Sequence, residues 1–83
     1  METITVEIFV PAINSTFDFR LPATGRVYDV TQEIVRILET TQQNLDIDDD
    51  FPMLCDIESG AILDPAKRIA QTKLHDSSKL ILI

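Results

Sequence analysis

The chain is poor in several residue types, and each scarcity excludes a class of protein. Cys55 is the one cysteine among 83 residues, so the chain forms no internal disulfide and holds no cysteine-ligated zinc or iron–sulfur cluster. Its 7 basic residues are outnumbered by 14 acidic ones, which gives a formal net charge of −7. Phosphate recognition needs clustered Lys and Arg, so nucleic-acid binding and docking on an anionic membrane are disfavoured.

Long apolar runs are also missing. No stretch reaches the length of a membrane span, and the N-terminal residues carry neither a basic segment nor a cleavage site. We therefore expect a cytoplasmic protein without membrane insertion. Apolar residues make up 45% and charged residues 25%, as in an ordinary folded domain. The length predicts one domain, 1–83, whose single modest core leaves no room for a large cofactor cavity.

Two alternating segments near the N-terminus predict a β-hairpin. In residues 3–10 the even-numbered positions are apolar and β-branched, which is typical of a strand with one buried face. A second alternation buries Phe17, Phe19 and Leu21 and ends at Pro22. The separation between the segments predicts a loop of about five residues.

After Gly25 the period changes from two residues to that of a helix, which we expect to cover about 27–43 with Asn44 as its left-handed cap. Glu33 and Arg36 are spaced for a surface ion pair. The predicted apolar stripe contains Val27, Val30, Ile34, Ile37, Leu38 and Thr41.

Three short strands are predicted in the remaining sequence. Residues 53–57 alternate, with Met53, Cys55 and Ile57 expected to face inward; Gly60 supplies a positive φ in the turn that follows. Ala61–Leu63 is a short return strand, and 79–83 is the last, with Leu80 and Leu82 inward. The order is β-β-α-β-β-β: an α+β mixed sheet with one helix packed on one face. A helical crossover permits parallel pairing of the first and last strands, which places the last strand in the middle of the sheet.

Leu63, Ile69, Leu74, Leu80 and Leu82 follow the spacing of core residues in ubiquitin-like proteins, and Phe17–Pro22 adds a narrower likeness. The whole chain thus resembles the ubiquitin-like β-grasp superfamily. With its short length and the ending Leu80–Ile83, it is most similar to the small YukD/EsaB family. That resemblance implies a bacterial accessory or regulatory protein of type VII (WXG100-type) secretion, which acts by protein contact and is not an enzyme.

The sequence departs from the conjugating branches of the superfamily. Ubiquitin and the sulfur carriers act through a flexible tail that ends in Gly-Gly, whereas no glycine follows Gly60 here and the last residues are predicted to form a strand. We therefore expect a non-conjugating protein. Two alternatives stay open: a modifier or sulfur-carrier relative whose Gly-Gly tail is missing from this sequence, and a detached structural domain of a larger membrane component.

The outward face of the sheet is the candidate partner-binding surface. If the last strand is central, this face collects Phe9, Leu54, Asp56, Ile81 and Ile83. Contiguous exposed apolar area often marks a contact site. The resemblance also places the central residue of ubiquitin's recognition surface at or beside Asp56, or at Leu54 if the alignment shifts by one residue. The expected partner is a protein, and the resemblance implies that it is a secretion-system component. The chain itself is expected to be a monomer or weak dimer.

Two further clusters of polar residues do not indicate a metal site or a catalytic site. The acidic run 46–50 lacks the glycine and the glutamate that an EF-hand loop needs in either register, so no metal site is predicted. His75, Asp76, Ser77 and Ser78 include the residue types of a hydrolytic triad, but four consecutive loop residues do not readily supply its geometry. Cys55, predicted to face inward, is expected to be an inert thiol. No cofactor and no small-molecule substrate are expected.

Overall fold

Four strands and one helix form the regular structure of residues 2–42 and 52–83, which are the residues that the computed structural model describes. The strands are β1 (Thr3–Val10), β2 (Ser15–Pro22), β3 (Leu54–Asp56) and β4 (Lys79–Leu82), and the helix is α1 (Val27–Thr41). Single 3₁₀ turns cover Pro11–Ile13 and Ile69–Gln71. None of the described helices has the length and apolarity to cross a bilayer.

The predicted N-terminal hairpin is confirmed. β1 and β2 pair antiparallel from Thr3 opposite Pro22 to Val10 opposite Ser15. The connection is tighter than expected, because Pro11–Ile13 forms a 3₁₀ turn and Asn14 closes it in a left-handed conformation with φ 49°. Asparagine tolerates this conformation better than most residues.

The sheet has the order β2-β1-β4-β3, so the last strand is central as predicted. β4 runs parallel to β1, with Phe9 opposite Ile81, and antiparallel to β3, with Cys55 also opposite Ile81. A parallel neighbour requires a crossover connection, and α1 is part of the one between β1 and β4. One helix on a mixed sheet confirms the predicted α+β β-grasp architecture.

The core lies between α1 and one face of the sheet. It comprises Val6, Ile8, Val10, Leu21, Val27, Val30, Ile34, Val35, Leu38, Leu54, Leu63, Ile69, Leu80 and Leu82. Ile69 and Leu74, which the ubiquitin-like spacing placed in the core, are confirmed there, since Ile69 is buried and Leu74 packs against the core. Each sheet strand contributes every second residue, as its pleat requires.

The buried stripe of α1 is rotated relative to the prediction. Ile37 is 40% exposed and Thr41 is exposed, whereas Thr31 and Val35 are buried. Burial of Thr31 is possible because its hydroxyl donates to the carbonyl of Val27 at 2.7 Å. The spacing of apolar residues does not reveal the burial of a polar residue whose hydrogen bond is made within its own helix.

The helix ends two residues earlier than predicted. Its last residue is Thr41, and Gln42 is extended, with φ −105° and ψ 106°. The predicted cap, Asn44, lies outside the described residues, as does the acidic run 46–50. The predicted surface pair is confirmed: Arg36 donates to the carboxylate of Glu33 at 2.7 Å.

The predicted facing of residues 53–57 is wrong. Leu54 is 1% exposed and Asp56 is 7% exposed, so both point toward the helix, and Cys55 points outward. The prediction assigned the inward face to the side of the strand with more apolar residues. An aspartate can nevertheless be buried where an adjacent turn donates hydrogen bonds to its carboxylate. The Asp56 carboxylate accepts such bonds from the Glu58 backbone N–H (3.2 Å) and the Ser59 hydroxyl (3.1 Å).

The predicted return strand 61–63 is reduced to a single bridge between Ile62 and Cys55. Asp56 N donates to Ala61 O and Leu63 N donates to Leu54 O, both at 2.9 Å, so this segment still runs beside β3. The turn between them contains Gly60 with φ 72°, as predicted. The sheet of the described residues therefore has four strands rather than five.

Candidate functional site: the outer face of the sheet

A line of apolar side chains crosses the face of the sheet that points away from α1. The register places Phe9, Ile81, Cys55 and Ile62 side by side on β1, β4, β3 and the bridging segment. Directly opposed side chains on neighbouring strands lie about 4.5–5.5 Å apart at Cβ. These four residues therefore form a continuous band.

Three more apolar residues flank this band. Ile83 and Met53 exchange backbone hydrogen bonds in both directions at 2.9 Å, which puts their side chains next to each other. Ile57 follows Cys55 by two positions, and its N–H donates to Lys79 O at 3.0 Å. We define the outer patch as Phe9, Met53, Cys55, Ile57, Ile62, Ile81 and Ile83.

The outer patch is unusually accessible for apolar residues. Ile57, Ile62 and Ile83 are each more than half exposed, and the other four are half-buried by their neighbours. Single exposed apolar residues are common on proteins, but a contiguous group often marks a contact surface. This arrangement can bury apolar area against another protein.

The structure brings together three of the five sequence-predicted site residues. Phe9, Ile81 and Ile83 lie on the outer face, as placed by the sequence, whereas Leu54 and Asp56 lie on the inner face. Of the three β3 residues, Cys55, between Leu54 and Asp56, is the one on the outer face. Binding by this face stays a prediction.

Met53, Cys55 and Ile57 were missed because they are the more apolar set of the alternating run 53–57, so the inward face was assigned to them. Ile62 was missed because its place on this face depends on a single bridge to Cys55. The signal that could have found them is the pairing with the last strand: once Leu82 is inward and opposite Leu54, Leu54 must be inward too.

Charged residues border the outer patch on the β2 side. Glu7 lies between Asp18 of β2 and Lys79 of β4 in a single line across the sheet. The two carboxylates are direct cross-strand neighbours, an arrangement that is mildly destabilising. Lys79 supplies a cation on the other side of Glu7, between the acidic border and Ile57.

The loop 75–78, which contains the residue types of a triad, ties β4 to β1. The buried hydroxyl of Ser78 accepts from the His75 N–H at 3.0 Å, and the carboxylate of Asp76 accepts from the Thr5 N–H at 2.9 Å. Ser77 is left-handed, with φ 73°, and its N–H donates to Thr5 O. These polar groups make hydrogen bonds that fix the segment leading into β4.

His75 also connects this loop to the turn after β3. Its Nδ1 lies 2.8 Å from the carbonyl oxygen of Asp76, and its Nε2 lies 3.5 Å from a carboxylate oxygen of Glu58. The hydrogen bond to the Asp76 carbonyl, and then that to Glu58, raise the pKa of His75 above its ordinary value of 6.5. Among the described residues no three His, Cys, Asp or Glu side chains converge in a manner suited to a metal ion.

No protein-family model matches the chain, and no curated protein is detectably similar to it. Solved structures do resemble it. The EccD5 ubiquitin-like domain from Mycobacterium xenopi superposes with a TM-score of 0.82 at 17% identity, covering 100% of this chain and 94% of that one. The ubiquitin-like domain of the Mycobacterium tuberculosis type VII secretion system protein EccD1 gives 0.68 at 21% identity, with coverage of 100% and 99%.

A third solved structure widens the range of proteins that share this architecture. A chain of a toluene 4-monooxygenase complex superposes with a TM-score of 0.81 at 7% identity, and covers 98% of this chain and 96% of that one. At such identities the likeness is one of fold. The strand order, the central last strand and these superpositions together establish that the chain has the ubiquitin-like β-grasp fold.

Proposed function

We propose that this chain is a ubiquitin-like protein-interaction module of a type VII secretion system. The observation that carries the proposal is the superposition on two EccD ubiquitin-like domains, one of them from a type VII secretion system protein, over nearly the full length of all three chains. The resemblance to the YukD/EsaB family expected from the spacing of Leu63, Ile69, Leu74, Leu80 and Leu82 is compatible with the same assignment. In this proposal the protein is an accessory or regulatory component that works in the cytoplasm without catalysis and without being conjugated to a target.

The outer patch is the proposed docking surface for a protein component of the secretion system. It combines seven adjacent apolar residues with an acidic border at Glu7 and Asp18. A partner that fits would bury an apolar surface there and place basic residues next to the border. Apolar contact supplies the affinity, and the charges fix the orientation.

A binding experiment tests the docking surface. The tagged protein is used to capture its partner from the native host, and captured secretion components are quantified by mass spectrometry. Ile62→Glu puts a charge into the outer patch and should reduce capture at least tenfold, because a buried unpaired charge is costly. Ile37→Glu makes the same substitution at a half-exposed residue of α1, on the other side of the molecule, and should leave capture unchanged.

A secretion assay tests the function itself. Deletion of the gene should lower the export of WXG100 proteins into the medium, and the wild-type and Ile37→Glu proteins should restore it, whereas Ile62→Glu should not. Normal export after deletion would overturn the proposal. Covalent adducts on the endogenous protein, detected by intact mass or as a ladder on a denaturing gel, would favour the modifier alternative.

A further inference from the structure

The eight-residue strand β2 lies at one edge of the sheet. Within the described residues β2 has one strand neighbour, β1, so its far side is open. The other edge strand, β3, has only three residues and is flanked by the bridge from Ile62. Open edges carry free backbone donors and acceptors, which readily pair with another strand.

The hydrogen bonding of β1 and β2 identifies the free groups. Ala23 N donates to Glu2 O, which makes residues 2 and 23 a hydrogen-bonded pair. Bonded pairs alternate along an antiparallel ladder. Phe17, Phe19 and Leu21 therefore bond to β1, whereas Thr16, Asp18 and Arg20 direct their backbone N–H and C=O groups to the open side.

We propose that this edge pairs with the same edge of a second copy of the chain, antiparallel and about a twofold axis, with Asp18 opposite Arg20. Twofold symmetry allows the free groups to meet with Asp18 opposite itself, Arg20 opposite itself, Thr16 opposite itself, Thr16 opposite Asp18, or Asp18 opposite Arg20. The first two oppose like charges, and the third and fourth pair no charges. Only the last places opposite charges together, and symmetry makes that contact twice.

The charged neighbours of β2 within the same chain also support this register. Asp18 already lies opposite the carboxylate of Glu7, and none of the described residues forms an ion pair with Asp18 or Arg20. Charged side chains on an edge strand oppose pairing with an arbitrary strand. They favour pairing with a strand that presents the complementary order, as the same strand does when it runs in the opposite direction.

The twofold axis passes through Phe19. In this register Phe19 faces its own copy as a non-hydrogen-bonded pair, the type in which side chains approach most closely. Phe19 packs against the core but is only partly buried, so its ring has accessible area on the helix side of the sheet. Pairing two such rings buries area that the single chain leaves exposed and favours an aromatic contact.

The association should be weak, because one strand pair is smaller than a standard protein interface. Sedimentation of the full chain over about 10 μM to 1 mM should show a monomer–dimer equilibrium. Arg20→Glu should weaken dimerisation by about tenfold, since it converts both attractive contacts into repulsions, and Asp18→Arg should do the same. The double variant, D18R with R20D, restores opposite charges in the same register and should restore dimerisation.

Controls separate this contact from other modes of association. The double variant keeps the composition and net charge of the natural chain, and Lys73→Glu makes the same charge change as Arg20→Glu at a site outside β2. Ile62→Glu, in the outer patch, should leave the dimer intact. In the dimer the amide protons of Asp18 and Arg20 should exchange more slowly with solvent as concentration rises.

A wild-type chain that stays monomeric at about 1 mM overturns the proposal. That result is expected if the natural partner of the β2 edge is a strand of another protein and not a second copy of this chain. A dimer that survives both single charge reversals also overturns it, because such a dimer uses another face. Failure of the double variant to dimerise while its unfolding transition is unchanged would have the same meaning.

Discussion

At the scale of single residues, the facing of Leu54 and Cys55 decides what the sheet offers to a partner. Leu54 is 1% exposed in the core, and its neighbour Cys55 is half-buried in the outer patch. A shift of one position would exchange these roles, because strand side chains alternate between faces. Asp56 is the residue that makes the observed facing possible, through its bonds to Glu58 and Ser59.

Substitutions at these two positions should separate core from surface. Leu54→Ala removes buried methyl groups and should lower the free energy of unfolding by about 2–5 kcal/mol. Cys55→Ala should change it by less than about 1 kcal/mol, because the thiol packs on one side only. Urea unfolding monitored by circular dichroism measures both. A larger cost at Cys55 than at Leu54 would mean that the strand has the opposite facing.

At the scale of elements, the start of α1 is held by backbone from a distant loop. The N–H of Val27 donates to Lys67 O at 2.9 Å, and that of Tyr28 donates to Pro65 O at 3.0 Å. The residue at the cap position, Arg26, makes no side-chain capping bond. The loop therefore satisfies two of the amides that every helix leaves unpaired at its first turn.

A capping side chain should add to this arrangement. Arg26→Ser supplies a hydroxyl that can accept from the N–H of Asp29, and it should be more stable than Arg26→Ala by about 1 kcal/mol. The alanine variant is the matched control, because both substitutions remove the arginine. Thermal and urea unfolding of the pair measure the difference. Equal stabilities would show that the loop leaves no room for a side-chain cap.

The strands and the helix also show which parts of the fold the sequence alone predicts. Alternation in 3–10 and the helical period after Gly25 predicted β1, α1 and the central place of β4, since each pattern is long and strongly periodic. Thr31 and Asp56 escaped prediction because their burial depends on local hydrogen bonds. Of the outer patch, Phe9, Ile81 and Ile83 were predicted; Ile62 was not, because its place depends on a single bridge to Cys55.

At the scale of the whole molecule, the connection between His75 and Glu58 joins the entry to the central strand with the turn after β3. Both side chains are exposed, so the contact is a small addition to stability. The direction in which this contact makes stability depend on pH is nevertheless fixed. The raised pKa of His75 means that the folded state binds the proton more tightly than the unfolded state does.

Stability should therefore depend on pH through His75. The contribution is fully present below pH 6.5 and is lost as the pH rises through the raised pKa of the folded state. Replacing the imidazole, in His75→Asn, should lower the free energy of unfolding more at about pH 6 than at about pH 8.5. Urea titrations of both proteins at the two pH values measure this difference. A cost that is equal at both values, or larger at the higher one, would contradict the assignment.

The position of Cys55 has a practical consequence. Its sulfur sits in the middle of the outer patch, between Ile81 and Ile62, and no other cysteine in the chain competes with it. The rate at which this thiol reacts with a small soluble thiol reagent would report on that face without any engineered substitution. A bound partner would cover the thiol and slow the reaction, whereas pairing of two β2 edges would leave the rate unchanged, so one native atom can distinguish the two contacts.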